Sequence, residues 1–230
     1  GNGFQNSASG YFSSVLNGTC NTASGYFSTA SGYRTTASGD YSTASGEYSI
    51  ASGNYSTASG YCTTASQNFS TASGYCTIAS DRYSTASGKY TTASGYSSTA
   101  SGYCTNASGN YSTASGICTT ASGYYYASVH NGLYNHIGNS TCSAYASFGV
   151  VINGNANNTT GGTWSGTYWS VAPTPVDSGC HSFIGNGFQN SASGYFSSVL
   201  NGCCNTASGY HSTASGYCTN ASSIFSTASG

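Results

Sequence analysis

From Cys20 to Tyr125 the chain is written in a seven-residue unit: an aromatic residue or Cys, then Ser or Thr, Thr, Ala, Ser, Gly and a variable residue. Phe27-Ser28-Thr29-Ala30-Ser31-Gly32-Tyr33 is one such unit, with positions labelled a to g. A seven-residue period usually means a coiled coil, which needs bulky apolar residues at two helical positions. The recurring residues are instead Ala, Ser and Gly, and a Gly in nearly every unit costs a helix about 1 kcal/mol each time. A short strand over b to e is the alternative, followed by a corner at f, g and a, where Gly at f supplies a positive φ.

Alternate units differ, and the difference fixes the true period. Position b is Ser at Ser28, Ser42, Ser56, Ser70, Ser84, Ser98 and Ser112, but Thr at Thr35, Thr63, Thr77, Thr91, Thr105 and Thr119, with Ser49 the exception. Cysteine takes position a only in the second kind of unit, at Cys20, Cys62, Cys76, Cys104 and Cys118. The repeat is therefore one coil of two unlike edges, and the fold class is all-β: a parallel β-solenoid, or β-roll, with 14-residue coils and one irregular loop region. The charges of this tract, Arg34, Asp40, Glu47, Asp81, Arg82 and Lys89, all fall at f, g or a. Corners are thus expected to face solvent, with no charge on a strand. Which strand face points inward stays open, because Ala at d favours b and d inside while Ile50 and Ile78 at c favour the opposite.

Composition agrees with a repetitive structure. Leu, Ile, Val and Phe make up about 11% of the chain, below the ~20% of ordinary globular domains. Charged residues are only 3%, so a charge-swollen disordered chain is excluded too. Three cations and a net charge of −1 cannot neutralise a run of phosphates, which excludes nucleic acid as a main partner. No apolar stretch is long enough to span a membrane as a helix. Residues 185–230 match residues 1–46 at 39 of 46 positions, a second period of 184 residues. With no Met at Gly1, the expectation is an excerpt of a longer protein with several copies. The divisions expected are irregular coils over 1–19, regular solenoid over 20–125, irregular coils over 126–160, an inserted Trp/Pro loop over 161–181, and a second copy of the solenoid start over 182–230.

Stacked strands ~4.8 Å apart bring Cα atoms inside the window for a disulfide. Cys62 with Cys76, Cys104 with Cys118, and Cys204 with Cys218 are the expected bridges between adjacent coils, and Cys142 with Cys180 closes the middle region. Bridges would place the chain in an oxidising, extracellular setting. Glycosylation candidates are Asn17, Asn54, Asn68, Asn106, Asn110, Asn139, Asn158 and Asn220, each in an Asn-x-Ser/Thr triplet, as is Asn157. Glycans would keep so weakly charged a surface soluble. A column of Phe27, Tyr41, Tyr55, Phe69, Tyr83, Tyr111 and Tyr125 reads as a stacking ladder, or as a sugar-binding strip. Trp164, Tyr168 and Trp169 in the loop are the ligand-contact candidates, and rows of Thr at c raise ice binding as an alternative. His130 with His136, or His181 beside Cys180, match no metal-ligand spacing. No catalytic residue, metal or cofactor is expected, and four carboxylates make an enzyme the weakest class.

The run Asn21-Thr22-Ala23-Ser24-Gly25-Tyr26-Phe27-Ser28-Thr29-Ala30-Ser31-Gly32 resembles the head repeats of trimeric autotransporter adhesins. Segment 182–194 is also similar to repeats of phage and giant-virus fibre proteins. The resemblance implies a left-handed parallel β-roll, self-association into a filament or homo-oligomer such as a trimer, and a place on a cell or virion surface. The function expected is a structural component of an extracellular or virion-surface fibre, with a carbohydrate- or cell-binding adhesin as the first alternative and an ice-binding solenoid as the second.

Overall fold

The computed structural model describes residues 2–123, 125–138, 149–159, 163–164, 169–171 and 180–230. All its regular structure is strand, in two compact units, Gly1–Cys104 and Thr105–Gly230.

In the first unit, the strands Thr29–Tyr33, Thr43–Glu47, Thr57–Tyr61, Thr71–Tyr75, Thr85–Lys89 and Thr99–Tyr103 form one parallel sheet. Thr57 pairs with Thr71, and Thr71 with Thr85, so each strand lies over its counterpart fourteen residues on. The two-residue strands Thr22–Ala23, Thr36–Ala37, Ile50–Ala51, Thr64–Ala65, Ile78–Ala79 and Thr92–Ala93 build the second sheet in the same register. The coil of fourteen residues with two unlike edges is thus the observed architecture.

The edges are more unlike than the sequence suggests. Strands do not run from b to e. On the Ser-type edge they run from c to g, because Gly at f adopts a positive φ, +124° at Gly32, that carries the ladder one residue further. On the Thr-type edge the strand stops at d, and Gly at f opens a tight turn. Ser28 N donates to Gly25 O at 3.2 Å, and Ser28 Oγ donates to the same oxygen at 2.8 Å. The same hydroxyl bond closes the turn at Ser70, Ser84 and Ser212, whereas the buried hydroxyls of Ser42 and Ser56 are unpaired. A further correction follows, since Glu47 and Lys89 are the last residues of long strands, so two charges do lie on a strand, at its corner end.

The question of faces has a clear answer. Every Ala at d from Ala23 to Ala100 is fully buried, and so are the Ser and Thr at b, while Ile50 and Ile78 point outward with 41% and 43% of their surface exposed. Facing methyl groups make an interior too narrow for larger side chains, which would overpack it. Little of the stability is therefore hydrophobic, and much rests on intercoil backbone bonds such as Thr43 N to Ser56 O, 2.9 Å. The buried hydroxyls of Thr77 and Thr91 have no hydrogen-bond partner. Because an unpaired buried hydroxyl costs free energy that an isosteric methyl does not, Thr91→Val is expected to stabilise the unit by about 1 kcal/mol in urea unfolding.

The second unit keeps the stack but varies the coil. Thr113–Ile117 pairs with Ser128–Val129, which pairs with Val150–Val151, and that with Phe183–Ile184. Coil order is unchanged across these pairings, and the second edge continues from Thr120–Ala121 to His136–Ile137. Larger residues fill position d, with Val129, Val151, Ile184 and Val199 all fully buried. Coils opening Ser-Val-Leu-Asn-Gly carry one extra residue: Ser198 pairs with Thr213 but Gly202 with Gly216, with a bulge between Val199 and Gly202.

Candidate functional site: the corner ladders

Every position a from Cys20 to Cys118 sits in the left-handed region, with φ between +49° at Cys76 and +60° at Phe69. That conformation costs a non-glycine residue about 1–2 kcal/mol. Two contacts offset it. The N–H at a donates to position g of the preceding coil, as from Tyr41 to Tyr26 O at 2.7 Å. The side chain at a is also thrown outward onto its neighbours.

On the corner after the short strands, Phe12, Phe27, Tyr41, Tyr55, Phe69 and Tyr83 form a column with ring centroids 4.7–5.3 Å apart and planes within 20° of parallel. The second unit repeats the device with His181, Phe196, His211 and Phe225. Stacked rings cover one another's faces and offer solvent their rims, whereas a sugar ring packs on a face. This column suits a register-setting ladder better than a binding strip.

A second column, which the sequence reading missed, lines the opposite corner of the first unit. Tyr33, Tyr48, Tyr61, Tyr75, Tyr90 and Tyr103 follow one another at 4.8–6.2 Å. The ring comes from g in four coils and from a in two, so no fixed period reveals it; reading g and a together would have. Where Tyr takes a, a charge takes g, and Lys89 lies 5.2–5.9 Å from the rings of Tyr75, Tyr90 and Tyr103.

Cys62, Cys76 and Cys104 share this corner, each directly after a Tyr of the column, and Cys62 and Cys76 are hydrogen-bonded to each other. Cys203 Sγ lies 3.1 Å from Cys204 Sγ. That contact, with burial and Cys218 adding to it, pushes the Cys204 thiol up to about 12. Cys180 is disulfide-bonded, and its expected partner Cys142 lies outside the described residues.

Of the sequon residues, Asn17, Asn54, Asn106 and Asn220 are exposed, and Asn68 and Asn110 half-buried. Asn54 Oδ1 accepts from Asp40 N at 3.0 Å and Asn68 Oδ1 from Asn54 N at 3.2 Å, so this row also serves the backbone. Asn157 and Asn158 are buried, at 0% and 2% exposure, where a glycan has no room; Asn158 leaves the set of candidates. Asn139 lies outside the described residues, as does Tyr168. Trp164 and Trp169 sit opposite each other in an antiparallel pair formed by Thr163–Trp164 and Trp169–Val171.

The structure does not bring the histidines together as ligands: among the described residues no three His, Cys, Asp or Glu side chains cluster as a metal site would. His130 is exposed, and His181 joins the ring column. His136, in the strand His136–Ile137, is held to about 4 because burial disfavours its charged form. The folded unit thus refuses a proton that the unfolded chain takes up near pH 6.5. Stability is full above that pH and falls as pH drops towards 4, by up to about 3 kcal/mol. Urea midpoints measured down this range should fall more steeply in the parent than in His136→Gln.

A third ladder is internal, and it too escaped the sequence reading. The pattern Asn-Gly-x-x-Asn recurs at Asn2–Asn6, Asn17–Asn21, Asn131–Asn135, Asn153–Asn157, Asn186–Asn190 and Asn201–Asn205. In each of the last five, the second Asn donates through Nδ2 to the carbonyl of the first, at 3.0–3.2 Å. It also donates to a Gly carbonyl of the next coil, as Asn21 does to Gly32 O at 2.7 Å. Its Oδ1 accepts from the backbone of the following coil, as from Asn205 N to Asn190 at 3.0 Å.

The solenoid and its ladders define the class: a repeat protein whose surface is set by stacked corners. The YadA head domain repeat matches residues 23–49, 44–61, 51–75, 86–103, 93–117 and 207–230. Over those stretches the chain is similar to the head repeats of trimeric autotransporter adhesins, a family of surface adhesins. No curated protein sequence matches the chain. Among the described residues no helix is long and apolar enough to cross a membrane.

Proposed function

We propose that this chain is a structural, length-giving segment of an extracellular or virion-surface fibre and that it works as a homo-oligomer, a trimer being the state its repeats favour. The observation that carries this reading is the in-register stack of head repeats, where each coil is stabilised by its neighbours and length is added one coil at a time. Disulfides at Cys62–Cys76, Cys104–Cys118 and Cys204–Cys218, with glycans at Asn54, Asn68 and Asn110, belong to the same reading. Light scattering and electron microscopy of the secreted chain test it: oligomeric rods are expected, and compact monomers would overturn it. Non-reducing peptide mapping should show the three bridges; free thiols in secreted material would remove them.

If the protein also binds cell-surface glycans, the 161–181 insertion is the place, and its deletion should abolish binding while leaving the oligomer intact. One observation favours the ice-binding reading. Ile50, Ile78 and Asn106 interrupt only the short-strand sheet, whereas Thr29, Thr43, Thr57, Thr71, Thr85 and Thr99 form an unbroken outward row on the long-strand sheet. Thermal hysteresis lost in Thr71→Tyr would support it, and its absence in the parent would end it.

A further inference from the structure

The two external ladders differ in one chemical respect. The column through Phe27, Tyr41, Tyr55, Phe69 and Tyr83 accepts Phe and Tyr interchangeably, as stacking alone predicts, since the two rings cover nearly the same area. The column on the cysteine corner is Tyr in six successive coils, although the ring is supplied from a different position in two of them. Packing does not require six hydroxyls. Phenols and thiols are readily oxidised side chains, and here they stand together, with Cys62, Cys76 and Cys104 each directly following a Tyr of the column. All six rings are 38–45% exposed and open to an external oxidant.

We propose that this corner is a site of oxidative cross-linking, where Tyr61 and Tyr75 couple through their ring carbons to form a dityrosine joining adjacent coils. Tyr61 and Tyr75 are the one pair of the column lying face to face, with centroids 4.8 Å apart and planes at 13°. The other successive pairs meet edge to face at 78–88°, which keeps electronic contact along the column without aligning the ring carbons. The oxidant is hydrogen peroxide acting through a haem peroxidase. Each phenol loses one electron and one proton, the two phenoxyl radicals join by a carbon–carbon bond ortho to the oxygens, and both rings regain aromaticity by moving the displaced ring hydrogens to oxygen. Two protons and two electrons leave in all, and they reduce one peroxide to two waters. Oxidation at any ring of the column can migrate to this pair by electron exchange between neighbours. The proposal is independent of the fibre reading, since it concerns the chemistry of one corner and not what the molecule assembles into.

The test uses the full chain with its thiols alkylated, dilute, treated with peroxide and a haem peroxidase, then read by dityrosine fluorescence and by mass spectrometry of the monomer fraction. A monomer lighter by two hydrogens, with Tyr61 and Tyr75 in one cross-linked peptide, is the expected product. Tyr61→Phe and Tyr75→Phe keep the stack, so each should fold as the parent does by circular dichroism, yet lower the monomer's dityrosine by the share that maps to the Tyr61–Tyr75 peptide in the parent, while any product of the stacked Tyr41–Tyr55 pair remains. Tyr55→Phe, in the other ladder, should leave the Tyr61–Tyr75 product unchanged. A parent yield no higher than that of the unfolded chain would overturn the proposal, as would cross-links found only between molecules or a full yield in Tyr75→Phe.

Discussion

Gly60→Ala is expected to destabilise the first unit by about 3 kcal/mol, enough to open the coils around it. Two independent costs add at this position. Gly60 has φ +133°, outside the range an L side chain adopts readily. A Cβ there would also run into the carbonyl oxygen of Gly74 in the next coil. That oxygen belongs to a paired backbone and cannot swing aside as a side chain would, because Gly60 pairs with Gly74 and Gly74 with Gly88. Ser59→Ala, one residue earlier and on the outer face, should change stability by less than about 0.5 kcal/mol. Urea unfolding of the pair checks the claim; equal midpoints would mean that coils separate at this column without penalty.

Asn190→Ala should cost the second unit about 2–4 kcal/mol although it removes little apolar surface. Asn190 is fully buried and its amide bonds to Asn186 O, Gly202 O and the backbone and side chain of Asn205. Deleting it strands several buried polar groups at once, which is more expensive than losing one bond between solvated partners. Hydrogen exchange should accelerate first at the backbone N–H of Asn205, which loses its acceptor. A stability within about 0.5 kcal/mol of the parent, with unchanged exchange at that residue, would show that water replaces the amide freely.

How far these features were legible depends on whether residue type alone carries them. The doubled heptad was readable, because Ser and Thr at b mark two corners of different chemistry, and the structure gives the reason in the Ser28 hydroxyl that closes its turn. The inward face was not, because Ile50 and Ile78 advertise a core they do not enter. Left-handed backbone at Phe27, Tyr41 or Cys62 was hidden too, since aromatic residues and Cys seldom adopt it and only the stacked neighbours make it tolerable. Asn-Gly-x-x-Asn stood in plain view six times, but its use depends on which coil lies above it, and no local pattern supplies that. The six-Tyr column needs two positions read as one, a step that makes sense only once the corner has a shape.

Uniform coils bring a hazard of their own. Where successive turns are nearly identical, as from Phe27 to Tyr103, a growing stack can slip by a whole turn and find nearly the same contacts one step out of place. The asparagine coils and the extra residue at Val15–Gly18 and Val199–Gly202 lack that degeneracy, for a slip of one turn would take the amides from their carbonyls and the bulge from its register. They act as index marks on an otherwise blank ruler, and the unmarked stretch from Asn21 to Asn131 sets how far an error can travel before it is caught.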